Sequence, residues 1–586
     1  MSAIPAPSAA HAGPLALGRS EGSLRLLGWA LFAMALVWFG SLDARHLLRS
    51  DEGRYAEIAR EMFSSGNWVT IRYNGLEYFE KPPFHLWMTV LAYHAFGVGD
   101  WQARLWVAIS GAGGAAAIAL AALRWAGPRP ACLVALVLLS APSWNLGAHF
   151  NSLDMSISGA LACALAALFL AQHPQARPGA QRGWMLVAWG AMGVAVLTKG
   201  LIGIVLPGLA LVSYSLVTRD WGLWRRLHFV AGTVVLLVIT APWFVLISLR
   251  HPEFLRFFFI HEHWQRYTST VHDRMAPWWY FLPQLLGGFA PWVGLAPRMG
   301  ALLRAERRNP AGDASGSATQ PGQRHFRPGW FCACWAGSIL VFFSLSDSKL
   351  PGYILPVFPA LAWLAAMALE RLLAQTDAAR WRRQIVGLLV LGLLGMAFGL
   401  LLAGVPGLGG DAEVRRYGLW LAGAFAVLAG GAELARRLNR RADLLPSVTA
   451  YALASFLAST VALLGHETLG RPASGVDLVP QIEAVLKPQM PIYSVRLLDH
   501  TLPFYLRHTT LMVEDADELA FGAQQEPSKW LPTLAAFEQA WTHGPPALAL
   551  MSHPTYQALS ASALPMTKVT SDERRVVVAN FGLPPR

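Results

Sequence analysis

Leu24–Leu42 reads LRLLGWALFAMALVWFGSL, a run whose one charged residue is Arg25. About 20 apolar residues are needed to cross the hydrocarbon core of a bilayer, so this stretch alone is long enough to span one. No small-residue cleavage site follows it and further apolar runs do, which makes it a retained first helix rather than a secretory signal.

Similar runs recur at about residues 101–123, 131–146, 152–171, 184–198, 200–217, 229–248, 277–303, 329–345, 353–374, 384–406, 416–434 and 446–465, predicting roughly thirteen crossings. The composition agrees. Of 586 residues 54% are hydrophobic and 14% charged, and the mean hydropathy is +0.39, too few polar groups to cover a water-soluble protein of this size. The 24 tryptophans and 13 tyrosines suit interfacial belts. Cys132, Cys163, Cys332 and Cys334 all fall inside predicted spans, and the last two form CxC, which indicates neither a disulfide frame nor a zinc knuckle.

A formal charge of +12 would suggest nucleic acid in a soluble protein, but its placement speaks for topology. Arginines gather in alternate connections: Arg124 and Arg129; Arg177 and Arg182; Arg219, Arg225 and Arg226; Arg304, Arg307, Arg308, Arg324 and Arg327; Arg371, Arg380, Arg382 and Arg383; Arg436, Arg437, Arg440 and Arg441. The positive-inside rule makes these cytoplasmic. Loops 43–100 and 249–276, and the chain after about residue 466, then face the outer side, where the chemistry is expected. The sequence thus divides into a flexible cytoplasmic N-terminus (1–23), a transmembrane bundle (24–465) and an outer C-terminal α/β domain (466–586), the last with β-rich runs at Pro491–Val495, Thr509–Val513 and Arg575–Ala579. The stretch Pro310–Gln323 reads as a flexible Gly/Ser/Gln segment in a cytoplasmic loop.

After the first span comes SDEGRYAEIAREMF (Ser50–Phe63), with Ser50 placed as N-cap and Gly66 just past the end, a short helix expected at the membrane surface. Asp51, Arg54, Tyr55 and Ile58 share one side of it. Asp51 and Glu52 also suit the dipole of a first turn. The next segment, EYFEKPPF (Glu77–Phe84), has prolines that fix an extended turn into a second surface helix and so hold Lys81 rigidly.

The run SDEGRYAEIAREMFSSGNWV followed by GLEYFEKPP resembles the bacterial ArnT glycosyltransferases, lipid A aminoarabinose transferases of the GT-C superfamily related to protein O-mannosyltransferases. Further matches follow in order: Asp154 in NSLD, Lys199 in TKG, Arg266 in EHWQR, and Lys349 with Tyr353 in SKLPGYILP. The resemblance implies transfer of 4-amino-4-deoxy-L-arabinose from undecaprenyl phosphate to a lipid A phosphate at the periplasmic face of the inner membrane, with resistance to polymyxin and cationic peptides as the consequence.

On that reading Lys81, Arg266, Lys199 and Lys349 are the cations for the donor phosphate, Arg266 and Lys81 being the main clamp and Tyr353 a hydrogen-bond donor. Asp51 and Asp154 are the catalytic carboxylates: Asp51 is the general base if a hydroxyl attacks, and if the acceptor is a phosphate both hold the sugar amine or stabilise positive charge on the ring. Arg54, Tyr55 and Tyr78 are expected to line the substrate. A divalent metal, zinc by its chemistry, is expected between Glu80 and His263, with His261 a further ligand. Lys199 also suits a snorkelling lysine, the histidines an ordinary loop, and Tyr353 a belt tyrosine. Neither a Rossmann GxGxxG nor a Walker A run is found, in keeping with a lipid-linked donor. Expected partners are the donor, lipid A and membrane lipids, without nucleic acid, the protein acting as a monomer. The competing readings are another GT-C transferase acting on a protein or a different glycolipid, and a transporter or lipid flippase.

Overall fold

The computed structural model describes residues 14–260, 275–308, 326–405, 411–441, 444–562 and 564–583. Among these, nine helices are long and apolar enough to cross a membrane, beginning with Glu21–Gly40 of helix α1 (Pro14–Gly40) and ending with Leu444–Ser474. The other four expected runs are built differently. Helices α5 (Pro128–Leu139) and α6 (Pro142–Gly147) divide the 131–146 run where Pro142 restarts the chain, and α9 (Ile202–Thr218) is short. Helix α8 (Pro178–Lys199) is long enough but is not among the nine, and 277–303 is broken into Phe281–Gly288, Ala290–Leu295 and Ala296–Arg308. The periodicity locates every run but cannot see these breaks, which follow from proline and glycine inside apolar sequence.

Prolines open several of the helices, including α5, α6, α8 and Pro328–Leu345, where a missing N–H removes no hydrogen bond. Successive helices reverse direction. Asp154 in the first turn of α7 (Leu153–Ala171) and Lys199 at the end of α8 therefore meet at one end, whereas Arg129 and Glu370 pair at the other. One large cluster of buried apolar side chains runs through the bundle.

At the site end, helix α2 (Asp51–Ser65) departs from expectation. It is no surface helix: Tyr55, Ala56, Ile58, Ala59 and Met62 are buried, and so are Glu52, Arg54, Glu57, Arg60 and Glu61. The reason is the C-terminal domain, which lies on it. A Cβ on Gly53 would stand 2.3 Å from the His500 carbonyl oxygen, so only glycine fits that approach. Ser50 is at the N-cap position but makes no side-chain cap, while Gly66 closes the helix in the left-handed region (φ 66°) as expected.

A two-residue hairpin, β1 (Arg72–Tyr73) and β2 (Leu76–Glu77), turns at Asn74 and Gly75, both with positive φ. Glu61 receives the N–H groups of Asn74 and Gly75 at 2.5 and 2.9 Å, and Asn74 exchanges hydrogen bonds with Thr510. The hairpin is thus held between α2 and the C-terminal domain and delivers residues 77–83 into helix α3 (Phe84–Phe96).

The C-terminal domain is a five-stranded sheet in the order β4 (Leu511–Val513), β3 (Ile492–Val495), β5 (Leu548–Met551), β7 (Val576–Ala579), β6 (Thr567–Ser571). β4, β3 and β5 are parallel, and the β7 and β6 edge is antiparallel. β3, β5 and β7 are buried along their whole length, with separate apolar clusters on the two faces.

Candidate active site

Three elements converge where α7 begins, α8 ends and the 3-10 turn Pro351–Val357 crosses them. The Lys199 ammonium donates to Asp154 Oδ1, and its Nζ lies 4.6 Å from the centroid of the Tyr353 ring. A cation held by a carboxylate on one side and a π face on the other is fixed in place, not snorkelling. Gly352 makes the packing possible: a Cβ there would stand 2.3 Å from Asp154 Oδ2. With Ile157, Ile202, Leu206 and Phe343 these residues line one small gap.

The second group is built on α2 and the hairpin. Asp51 is the accessible acid of the helix, its side chain 40% exposed, whereas Arg54 behind it is 7% exposed. Arg54 reaches Asp51 at 3.6 Å and Glu518 of the C-terminal domain at 2.8 Å. Tyr78 donates to Glu80 at 3.1 Å, and Lys81 donates to the Glu80 carbonyl at 3.0 Å and reaches its carboxylate at 3.4 Å. Asp51, Arg54, Tyr78, Glu80 and Lys81 therefore lie close together, with Arg54 and Glu518 between the helix and the hairpin segment.

Two expected ligands are placed otherwise. Tyr55 is buried edge-to-face against His85, with ring centroids 5.6 Å apart, and so packs rather than lining a substrate surface. Lys349 is buried and donates to the Ala276 carbonyl at 2.9 Å and to the Ser346 carbonyl. Together with the bridge between Met275 and Ser348, it ties the chain at 275–276 to the segment before Tyr353. Arg266, His261 and His263 lie outside the described residues. Among the described residues, one histidine–carboxylate group has the spacing of metal ligands, at a different place: His251 Nδ1 lies 3.3 Å from Glu77 and 3.7 Å from Glu253, its Nε2 on Thr70.

Several residues that position the site went unread in the sequence. Glu52 accepts from Arg104 at 2.7 and 3.2 Å and from the Asn151 and Leu48 N–H groups at 3.0 and 3.1 Å, with Arg45 at 3.7 Å. Burial alone would raise its carboxyl, but Arg104 and Arg45 outweigh that and hold it at about 2. This lock joins the start of α2 to helix α4 (Asp100–Ala126) and to the segment before α7. His85 continues it, bonded to Ser156 at 2.8 Å and Asn151 at 3.0 Å; burial lowers its pKa to about 4, so it is neutral. Glu518 is raised to about 7, first by burial and then by Glu80, Asp517 and Asp51, against the pull of Arg54. Its Oε1 is buried without a hydrogen bond. No local motif marks Glu518, because Arg54, Asp51 and Glu80, which act on it, come from segments more than 400 residues away.

Residues 478–580 match the family model described as the aminoarabinose transferase C-terminal domain, and residues 80–245 match that of dolichyl-phosphate-mannose-protein mannosyltransferase. The undecaprenyl phosphate-alpha-4-amino-4-deoxy-L-arabinose arabinosyl transferase of Edwardsiella ictaluri is 32% identical over 392 residues, 66% of this chain and 67% of that protein. The Erwinia tasmaniensis protein of the same name is 35% identical over 57% of each chain, so there the match spans less than two thirds of the relative. The crystal structure of ArnT from Cupriavidus metallidurans bound to undecaprenyl phosphate superposes with a TM-score of 0.88 and 53% identity, over 95% of this chain and 99% of that one. An oligosaccharyltransferase from Archaeoglobus fulgidus shares the fold alone, at 12% identity and a TM-score of 0.50.

Proposed function

The chain belongs to the ArnT family of undecaprenyl phosphate-alpha-4-amino-4-deoxy-L-arabinose arabinosyl transferases, and from that membership we propose that it moves 4-amino-4-deoxy-L-arabinose from undecaprenyl phosphate to a lipid A phosphate. The observation that carries the reading is the placing of Asp51, Lys81, Asp154, Lys199 and Tyr353 at one end of a bundle of membrane-length helices. A donor with its tail in lipid and its phosphate at the interface needs cations at that depth. We place this end at the periplasmic face of the inner membrane, as the arginine-rich opposite end favours, with the protein acting as a monomer.

The step balances without net proton transfer. An oxygen of the lipid A phosphate bonds to the anomeric carbon, the bond from that carbon to the donor phosphate oxygen breaks, and undecaprenyl phosphate leaves with the electron pair. Charge grows on the leaving phosphate while the ring becomes oxocarbenium-like. Lys81, Arg266 and Lys199 stabilise the leaving charge, and fixed cations in a partly dry site do this better than water. Since Asp154 is engaged by Lys199, the exposed Asp51 is the carboxylate assigned to the sugar amine. Lys349 acts through the backbone it tethers. We assign a divalent metal, zinc by donor chemistry, to Glu80 with His263 and His261; loss of bound zinc from Glu80→Gln checks that assignment.

The added amine would offset a phosphate charge on lipid A and weaken attraction for polymyxin and other cationic peptides. The match of residues 478–580 to the aminoarabinose family favours this over transfer to protein. Purified protein given undecaprenyl phosphate-aminoarabinose and lipid A in detergent should yield modified lipid A with no ion gradient, and Asp51→Asn should abolish it. Near-normal turnover of Asp51→Asn would remove that residue from the mechanism.

A further inference from the structure

At the arginine-rich end, opposite the site, the helix Ala378–Gly404 meets the broken segment at 290–298 through Gln384 and leaves an open groove along that seam. Its interior is apolar, walled by Leu388 and Leu391 on one side and by Val293 and Leu295 on the other. The side-chain donors of its floor already have partners. Tyr451 and Gln384 both donate to the Pro291 carbonyl, the latter at 2.6 Å, and Trp381 donates to Ser447 at 2.9 Å. A hydrophilic ligand would find little to bind in that depth.

The mouth has the opposite chemistry. Arg298, Arg380 and Arg383 face it, with Asp377 beside them pairing with Arg298 at 2.6 Å and Arg380 at 3.2 Å. Arg383 makes no ion pair among the described residues, so a net positive charge remains. Between mouth and floor lies Gly387, and a Cβ there would meet nothing within 4 Å. From Arg380 to Leu391 the helix rises roughly 16 Å at about 1.5 Å per residue, close to half of a hydrocarbon core of about 30 Å.

We propose that this groove binds an anionic phospholipid, its phosphate on Arg380 and Arg383 and one acyl chain lying past Gly387 between the two leucine-bearing walls. A cationic mouth over an interior walled by leucines, whose side-chain donors are already engaged, at the end of a membrane-length helix is complementary to a lipid. A free phosphate would use the mouth alone and leave the interior empty.

The test needs no transfer reaction. Purified full-length protein is equilibrated with mixed micelles holding phosphatidylglycerol and phosphatidylcholine in equal amounts, and retained lipids are counted by native mass spectrometry. The wild type should retain phosphatidylglycerol in preference. Arg380→Gln and Arg383→Gln, at exposed positions, should each weaken retention about fivefold, the weight of one arginine near an anionic headgroup. Gly387→Leu should displace the lipid by filling the groove, and Arg440→Gln, elsewhere on the same end, should change nothing. Equal retention of the two lipids by the wild type, as when the groove is filled by the chain itself, overturns the proposal. So does a loss no larger in the groove variants than in Arg440→Gln.

Discussion

Replacing Glu52 by Gln removes one charge and almost no volume, and it should be among the most damaging neutral-sized changes in the chain. Oε1 accepts from Arg104 Nε at 2.7 Å and Asn151 N at 3.0 Å; Oε2 accepts from Leu48 N at 3.1 Å and Arg104 Nη2 at 3.2 Å. Every group facing Glu52 is therefore a donor. An amide in its place turns its own N–H groups toward other N–H groups and leaves two buried guanidiniums, Arg104 and Arg45, without their anion. Breaking a buried ion pair from one side costs about 3–5 kcal/mol. Unfolding of the purified protein by SDS, followed by tryptophan fluorescence, should show that loss in Glu52→Gln. Glu573→Gln, exposed between β6 and β7, should be close to wild type. A loss below about 1 kcal/mol, within the range of surface pairs, would refute the claim that Glu52 locks α2 to the bundle. The pH dependence has a definite sign. Glu52 is held at about 2 against an ordinary 4.5, so its stabilisation is present above pH 4.5 and is lost as pH falls toward 2.

The other predictions concern the site. Gly352→Ala puts a Cβ 2.3 Å from Asp154 Oδ2; displacing that carboxylate by about 1 Å should lower turnover about 100-fold with folding retained, and unchanged turnover would show that the Asp154–Lys199 geometry is not needed. Lys199→Met removes a fixed cation and should cost about 100-fold in turnover, more than Arg383→Gln, which should leave it unaltered. Glu518 is raised to about 7, so the stability its protonated form contributes is full below pH 4.5 and is lost as pH rises through 7. Melting of the wild type should therefore fall between pH 5 and pH 8 by more than that of Glu518→Gln, and parallel curves would contradict this.

The bundle was legible because apolar length is a local property, and nine of the expected runs became membrane-length helices. Proline-made breaks at 139–142 and 288–296 were not, since hydropathy averages over them. In the C-terminal domain Pro491–Val495, Thr509–Val513 and Arg575–Ala579 contain β3, β4 and β7. β5 was missed because Leu548-Ala549-Leu550-Met551 favours helix by propensity and is a strand only through its neighbours on both sides. β6, at the edge, carries Thr567-Lys568-Val569-Thr570-Ser571 with one buried apolar residue and so offered little pattern.

The site was legible to the extent that its residues sit in short motifs: Asp51 with Arg54, Tyr78 to Lys81, and Tyr353 between Pro351 and Pro356. What sequence could not supply was the covering of α2. Its alternating acids and bases look like a solvated face, yet Glu57, Arg60 and Glu61 pair among themselves under the C-terminal domain. The Asn74–Gly75 turn that aims residues 77–81 joins strands only two residues long, too short for an alternating pattern to mark them.

What the cations at the site end act upon is read directly from the mass of the product. Lipid A extracted from cells with the protein should be heavier, by one aminopentose on a phosphate, than lipid A from cells without it, and the increment should vanish with Lys199→Met. An unchanged lipid A spectrum while label from the polyprenyl phosphate sugar appears in protein, or in no acceptor, would contradict it.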